Sequence, residues 1–265
     1  MRIDYDIREV VPYVNWVYFF HAWGLTGKPQ EERDALRKEA DSMLQELSGR
    51  YRTHALFELF NAHSDGDDIV LEATGRRLPM LRQQDRVPSL CLADFLREAP
   101  GSDRIGLFAA TVDARIESDY ADDDFQRLLV QTLADRLAEA TVERMHLEVR
   151  TRWWGYAPDE QLTIAQLLSE AFQGIRPAVG YPSLPDVSLN FLLDEILDMK
   201  QIGIALTENG MMRPHASVSG LMLAHPQARY FDVGRIGDDQ LADYARRRGL
   251  PADDLRRFLR IADAG

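Results

Sequence analysis

The sequence predicts an α+β fold in which a mainly antiparallel, twisted sheet is flanked by long helices. Two observations support this prediction. Extended segments follow one another in runs, between 54 and 81 and again between 202 and 236, instead of alternating with helices. Two long segments are helical in character: 30–49 has apolar residues at helical spacing, and 120–152 contains neither proline nor glycine.

Local signals predict the individual elements in chain order. Gly49 closes the first long helix, and the turn Asp65-Gly66 joins the first two extended segments into a hairpin, with a third following. The acidic run "DYADDD" suits the positive end of the helix at 120–152. Thr163 is a candidate N-cap of the next helix, and Gly174 is its candidate stop. The same signals predict strands at 104–111, 202–208, 216–225 and 229–236, and helices at 163–173, 188–200, 238–249 and 251–262.

Length and composition limit the class of protein. We expect residues 1–265 to form one domain, with an N-terminal helical segment of about 1–50 packed on it. The net charge of -12 argues against a nucleic-acid partner, which would need a basic face. The longest apolar run near the start, "WVYFFHAWGL", is too short for a membrane span and follows acids instead of Lys or Arg, so we expect neither a membrane span nor a signal peptide. The single cysteine, Cys91, excludes an internal disulfide and fits a cytoplasmic location.

Motif analysis excludes several common chemistries. The sequence has no GxGxxG after a strand and no GxxxxGK[ST], so neither a dinucleotide site nor a P-loop is indicated. There is no HExxH, and the six histidines do not have metal-ligand spacing, so we expect no metal site.

The helix predicted at 120–152 has an unusual polar face. Asp135, Glu139, Val142 and His146 share one side of a helical wheel, which mixes charged with apolar groups. Two interpretations are open from periodicity alone. The acids could pair with arginines on a neighbouring element, which is the simpler interpretation, or they could contribute to a ligand site.

The stretch "QGIRPAVGYPSLPD", residues 173–186, is rich in proline and glycine. Pro177 and Pro182 favour extended geometry in the residues before them, Arg176 and Tyr181, and we expect the backbone of 176–182 to leave its N–H and C=O groups unpaired. Gly180 permits positive φ or close approach of a ligand. A guanidinium beside an aromatic ring suits a ligand with a carboxylate, a ring and a positive centre, such as S-adenosylmethionine. A simple change of chain direction is the alternative.

Motifs along nearly the whole chain resemble one known family. RxxxGYP stands here as Arg176, Gly180, Tyr181 and Pro182, preceded by "WGYAPDEQL". Further matches are "WVYFFHAWGLTGK", "LRQQ", "SLCLADF", "TLADRLAEA" and the series "LTE…ASVSG…HP…YF.VG.I..DQ..DYARR.G". The chain thus resembles the activation domain, or S-adenosylmethionine-binding domain, of cobalamin-dependent methionine synthase. The resemblance implies that domain's fold.

The resemblance also implies site residues. The arginine of RxxxGYP holds the carboxylate of S-adenosylmethionine in the family, main-chain groups of the same loop contact the adenosine, and two acids lie nearby. Carried over by motif, the ligand-binding positions are Arg176, Ala178, Gly180, Tyr181, Glu139, Glu170 and Asn15, where Asn15 replaces an acid of the family. The positions expected to face the cobalamin-binding module are Asp135, Arg213, His215 and Ser217.

The function implied is that of a stand-alone reactivation subunit of a split methionine synthase, a methyltransferase component. It would bind S-adenosylmethionine and supply the methyl group for reductive methylation of cob(II)alamin, with the cobalamin held by a partner protein. A flavodoxin-like donor would supply the electron, and we hypothesise that Arg246–Arg248 form its basic landing patch.

Two alternatives stay open. Departures from the family at Val187, Arg213 and His215 favour a reactivator of another corrinoid methyltransferase. The amide at Asn15 favours a non-catalytic module that binds a corrinoid protein.

Overall fold

The computed structural model describes residues 1–259, and its centre is a six-stranded sheet with the order β4-β3-β2-β5-β8, in which β1 also pairs with β2. Every pairing in this sheet is antiparallel, so the predicted fold class is confirmed. A separate two-stranded sheet joins β6 and β7. The strands are β1 Arg2–Asp6, β2 Arg52–Asp65, β3 Asp68–Leu71, β4 Arg76–Pro79, β5 Asp103–Val112, β6 Ala205–Leu206, β7 Met212–Arg213 and β8 Ser217–Met222.

Helices cover both faces of the sheet. They are α1 Ile7–Val10, α2 Trp16–Ala22, α3 Gln30–Leu47, α4 Arg115–Ser118, α5 Asp124–Glu148, α6 Ile164–Leu168, α7 Leu189–Leu197, α8 Asp238–Arg248 and α9 Ala252–Phe258. Short 3₁₀ helices stand at Val11–Tyr13, Leu92–Phe95 and Met199–Ile202, and a π-helical turn at Val149–Trp153 extends α5.

Strand β5 shows how the two cores arise. Phe108 and Ala110 belong to the core formed with α3 and α5, whereas Leu107 and Ala109 belong to the core formed with α7. Successive side chains of a strand point to opposite faces. Because both faces are covered, β5 is buried continuously from Ile105 to Val112 and reads as one apolar run.

Helix α5 is the longest element, with 25 residues. Asp123 caps its N-terminus by accepting a hydrogen bond from the backbone N–H of Gln126 at 2.8 Å, so the helix begins at Asp124, four residues after the expected Tyr120. One side of α5 packs into the core against the sheet.

Three predicted elements differ from the structure. Residues 229–236 form no strand, because their backbone groups bond irregular neighbours, as when the N–H of Val233 donates to the Pro182 carbonyl at 3.0 Å. The helix capped by Thr163 ends at Leu168, since Glu170 has a left-handed φ of 58°. The segment 1–50 opens with strand β1 rather than a helix.

The last two helices pack on the sheet through a small third core. Arg247 forms an ion pair with buried Asp68 at 2.6 Å, and Arg248 pairs with buried Asp186 at 3.1 Å. The hypothesis of a basic landing patch at Arg246–Arg248 is therefore wrong, because of the three only Arg246 presents an exposed side chain. The predicted end of the last helix, 260–262, lies outside the described residues.

Some features of the described chain bear on function by exclusion. Within residues 1–259, no helix combines the length and apolar composition needed to cross a bilayer. That same part of the chain contains no group of three or more His, Cys, Asp or Glu residues arranged to hold a metal ion. Cys91 is buried, and burial raises the pKa of its thiol to about 12, so it is not a reactive thiolate.

Candidate ligand site

The segment 175–179 lies alongside strand β8 as an extra, irregular edge. Four backbone hydrogen bonds of 2.9–3.0 Å join it to 219–223: Ile175 N to Leu223 O, Leu223 N to Ile175 O, Leu221 N to Pro177 O, and Val179 N to Ser219 O. The expectation that 176–182 is an open ribbon is therefore wrong for the inner side of this segment. Pro177 is compatible with the pairing because it contributes only a carbonyl.

Two glycines allow this close approach. A Cβ at Gly220 would lie 2.2 Å from the carbonyl oxygen of Pro177, and one at Gly174 would lie 2.4 Å from the carbonyl oxygen of Leu223. Gly174 also has a left-handed φ of 85°. Side chains at either position would push the segment away from β8.

The outer side of the segment carries backbone groups that point away from the sheet. The N–H of Arg176 donates to the hydroxyl of Tyr230 at 3.0 Å. The N–H of Ala178 has no hydrogen-bond partner among residues 1–259. Gly180, with a φ of 88°, then turns the chain, and its N–H donates to the carbonyl of Leu184 at 2.8 Å. The segment thus offers an unpaired backbone donor next to a guanidinium.

Beneath this segment, five side chains form what we call the buried network: Glu143, His146, Arg150, Glu160 and Arg176. A terminal nitrogen of Arg176 donates to Oε2 of Glu143, and its other terminal nitrogen lies 3.5 Å from Nδ1 of His146. Arg150 donates to both carboxylate oxygens of Glu160 at 2.9 and 2.7 Å and to Nδ1 of His146 at 2.8 Å. Two arginines therefore share one histidine nitrogen.

The network is almost completely removed from water. His146 and Arg150 have no exposed surface, and the side chain of Arg176 retains only 14% exposure. Burial lowers the pKa of His146, and the positive charges of Arg150 and Arg176 lower it further. Burial raises the pKa of Glu143, and the opposing charges of Arg176 and Arg150 offset this only in part. The ring of Phe172 lies 4.0 Å from the guanidinium carbon of Arg150.

A second group of residues forms what we call the exposed rim: Asp135, Glu139, Tyr181, His215 and Ser217. They line a cavity of about 180 Å³ between α5, the turn after Gly180 and the start of β8. Tyr181 donates its hydroxyl hydrogen to Glu139 at 3.0 Å, and Nδ1 of His215 lies 3.3 Å from Asp135. The charge of Glu139, together with burial, raises the pKa of Tyr181 above its ordinary range.

The network and the rim are close enough to interact. Burial disfavours the charge on Arg176, yet its pKa is raised, chiefly by Glu143. Glu139 and Glu170 contribute to the same rise. Carboxylates from α5 and from the turn before the segment therefore act on one arginine, which has N–H groups without a partner within residues 1–259.

Comparison with known proteins identifies the family. The family described as the activation domain of vitamin B12 dependent methionine synthase matches residues 6–249. This chain belongs to that family. A crystal structure of the MetH reactivation domain bound to AdoHcy is similar to the chain, with 35% sequence identity and a TM-score of 0.91. The match covers 98% of this chain and 89% of that one. The resemblance inferred from sequence motifs is thereby confirmed.

The structure brings some of the predicted positions of this activation-domain family together and leaves others apart. Asn15 caps α2 by accepting from the N–H of Val17 at 3.1 Å. Arg213 is exposed on β7, outside the residues that line the rim cavity. Val187 is buried, so this departure from the family packs inside the chain. The side chain of Ser217 is held by the hydroxyl of Thr111 at 2.7 Å.

Glu143 and Tyr230 were not predicted from the sequence, and the surroundings of His146 were left open. Glu143 follows Glu139 by four residues, which puts it one turn further along the same face of α5. That spacing was a usable signal for Glu143. Tyr230 had none, because it lies in a segment predicted to be a strand and reaches Arg176 through an irregular loop.

Proposed function

We propose that this chain binds S-adenosylmethionine (AdoMet) through Arg176 and supplies its methyl group for reductive methylation of cobalamin held by a partner. The observation that carries the proposal is the state of Arg176. Its guanidinium is held from inside by two contacts and has further N–H groups without a partner among residues 1–259. A relative with 35% identity binds S-adenosylhomocysteine (AdoHcy), the product left when AdoMet gives up its methyl group.

The residues present fit such a ligand in charge and shape. The free N–H groups of Arg176 match the carboxylate at the amino-acid end. The unpaired N–H of Ala178 and the aromatic face of Tyr181, beside the turn at Gly180, suit the adenosine. Glu139 and Glu170 place negative charge where a sulfonium would gain from it. Asn15 keeps its place among the proposed binding residues, although its amide cannot offset a positive charge.

The chemistry itself belongs to the two bound groups. Cob(II)alamin, one electron and AdoMet would give methylcobalamin and AdoHcy, because the S–CH₃ bond of the sulfonium breaks and its methyl group is transferred as a methyl cation equivalent. The chain contributes binding and orientation, because no side chain near Arg176 has to take or give up a proton in this reaction. Arg176 anchors the ligand, the acids orient it, and Tyr181 shapes one wall.

The partner is proposed to dock at the exposed rim and at Arg213. Asp135, His215 and Ser217 line one cavity there, together with Tyr181. A separate cobalamin-bearing protein, a flavodoxin-like electron donor and a cytoplasmic location are further parts of the proposal, based on the family. If the partner is a separate protein, the rate of reactivation should rise with the concentration of this chain.

Isothermal calorimetry with AdoHcy and AdoMet tests the ligand. We expect the wild-type chain to bind both, and Arg176→Ala to weaken binding by about a hundredfold, because a charge-assisted, bidentate contact with the carboxylate is lost. Arg213→Ala is the matched control: the side chain is an exposed arginine outside the proposed ligand contacts, so AdoHcy affinity should not change.

The same experiment separates the alternatives. No heat with either ligand for the wild-type chain would refute AdoMet binding and favour a module that only binds a corrinoid protein. If binding survives in Arg176→Ala, the ligand is held elsewhere and the proposed anchor is wrong. Loss of reactivation in Arg213→Ala, with AdoHcy binding intact, would support the docking surface.

A further inference from the structure

We propose that the buried network positions the guanidinium of Arg176, so that Glu143, His146, Arg150 and Glu160 are positioning residues for the ligand carboxylate. This inference rests on the proposed function and assigns a role to four residues that need not touch the ligand. It adds a supporting layer beneath the binding residues.

Arg176 requires such support because arginine is a long side chain with several rotatable bonds. Its backbone is fixed by pairing with β8, but this leaves the direction of the guanidinium open. Glu143 and His146 each contact a different terminal nitrogen of Arg176. Two contacts at different points of a planar group fix its plane as well as its position.

His146 acts in this arrangement as an acceptor. Nδ1 faces Arg150 at 2.8 Å and Arg176 at 3.5 Å, and both guanidinium groups can only donate. Nδ1 must therefore be unprotonated, and the neutral ring carries its proton on Nε2, which lies 3.4 Å from the hydroxyl of Tyr156. A protonated His146 would repel both arginines, so the network needs a neutral histidine.

Arg150 donates a hydrogen bond to His146 and is itself held by Glu160. Both side chains are buried, and the pair is bidentate, so the charge of Arg150 is balanced locally. This leaves Glu143 as the internal counter-charge of Arg176. Each member of the network thus has a partner that restricts its orientation. Arg176 is the last member in this series of contacts.

Every nitrogen of the Arg150 guanidinium has a hydrogen-bond partner, so the network atoms that lack one within residues 1–259 lie at the Arg176 end. The pair Arg150–Glu160 is matched at both carboxylate oxygens. At the other end, and among residues 1–259, Oε1 of Glu143 is buried without a partner and Nε of Arg176 has none. A network that served stability alone would satisfy both ends equally, because unpaired buried polar atoms are costly. The asymmetry points to a ligand at the Arg176 end.

The test compares two ligands that differ only at the amino-acid end. AdoHcy carries the carboxylate, whereas 5′-methylthioadenosine has the same adenosine and a thioether but no amino-acid group. His146→Leu removes the acceptor, Glu143→Gln removes the counter-charge, and His146→Asn keeps an acceptor near the position of Nδ1. Glu148→Gln is the matched control on the same helix, since Glu148 pairs with Arg144 and Tyr5 outside the network.

We expect His146→Leu and Glu143→Gln to weaken AdoHcy binding in calorimetry by about tenfold or more, with the affinity for 5′-methylthioadenosine unchanged. The His146→Asn variant should retain an AdoHcy affinity within about threefold of that of the wild type. Glu148→Gln should bind both ligands as the wild type does.

Three results would overturn the inference. The first is unchanged AdoHcy affinity in both His146→Leu and Glu143→Gln. The second is an equal loss for both ligands in variants whose circular dichroism shows a retained fold. The third is failure of both variants to fold, which would assign the network to stability alone. A wild-type chain that binds neither ligand would instead refute the proposed function, and the inference with it.

Discussion

Helix α5 carries both parts of the site, and the two parts differ in depth. Asp135 and Glu139 lie at the exposed rim, while Glu143 and His146, one and two turns further on, lie in the buried network. Contacts at the rim join groups that water can also reach, such as the half-exposed Asp135 and the largely exposed His215. Contacts in the network join groups that water hardly reaches, such as Arg150 and Glu160. Burial therefore differs along this one helix. Its buried residues fix the positions of other side chains, whereas its exposed residues are accessible to a partner.

The largest difference between buried and exposed positions should appear when an ion pair is broken. Glu160→Gln leaves the fully buried guanidinium of Arg150 without its counter-charge, and we expect the free energy of unfolding to fall by about 3 kcal/mol. Asp41→Asn breaks the half-exposed pair of Arg37 and Asp41 on α3 and should cost about 0.5 kcal/mol. Urea denaturation of both variants checks this. Similar losses in the two would remove the distinction based on depth.

A second prediction concerns the pairing that presents Arg176 to the network. Gly220→Ala places a methyl group 2.2 Å from the Pro177 carbonyl, so we expect a loss of about 2 kcal/mol in stability and weaker AdoHcy binding. Gly203→Ala is the control for a glycine substitution away from this pairing, because Gly203 has open space around it; its φ of 84° adds a backbone strain that Gly220 does not have. It should cost about 1 kcal/mol of backbone strain and leave AdoHcy binding intact. Normal AdoHcy affinity in Gly220→Ala would show that the pairing with β8 does not place Arg176.

The pH dependence of stability tests the neutral state of His146. Its pKa is about 6.5 in the unfolded chain and lower in the folded one, so the unfolded state binds more protons between these two values. The free energy of unfolding should therefore fall as the pH drops below 6.5, by up to about 1.4 kcal/mol per pH unit from this group. His146→Asn should remove this part of the slope. An unchanged slope in the variant would mean that His146 is not held neutral.

The same difference in depth explains what sequence could and could not predict. Asp65-Gly66, the run of strands and the long segment free of proline predicted the antiparallel sheet and α5, because these are local or periodic signals. The motif around Arg176 predicted that this side chain binds the ligand carboxylate, and this stays a prediction. Its pairing with 219–223 was missed, since contacts between distant segments leave no local period, although Gly220 is a trace of it.

Charged residues inside the network were the hardest to interpret. A helical wheel places Glu139 and Glu143 on neighbouring positions, but spacing does not tell which of the two acids is covered by other elements. The exposure of Arg247 and Arg248 was equally hard to predict. Three adjacent arginines suggested a surface patch, whereas these two form ion pairs with buried aspartates. Composition predicts that charges exist, and only the tertiary fold decides which are accessible.

The smallest effect on stability is expected at the rim. His215 is 80% exposed and contacts Asp135 at 3.3 Å, so His215→Ala should change the free energy of unfolding by no more than about 0.5 kcal/mol. AdoHcy affinity should stay the same, because neither His215 nor Asp135 is among the proposed ligand contacts. Affinity for the cobalamin-bearing partner should fall a few-fold and become less sensitive to salt, since a polar group is lost from the proposed docking surface. Urea denaturation, calorimetry and partner binding at two salt concentrations provide the three measurements. A loss of stability well above 1 kcal/mol would place His215 among the residues that hold geometry and would end the contrast between rim and network.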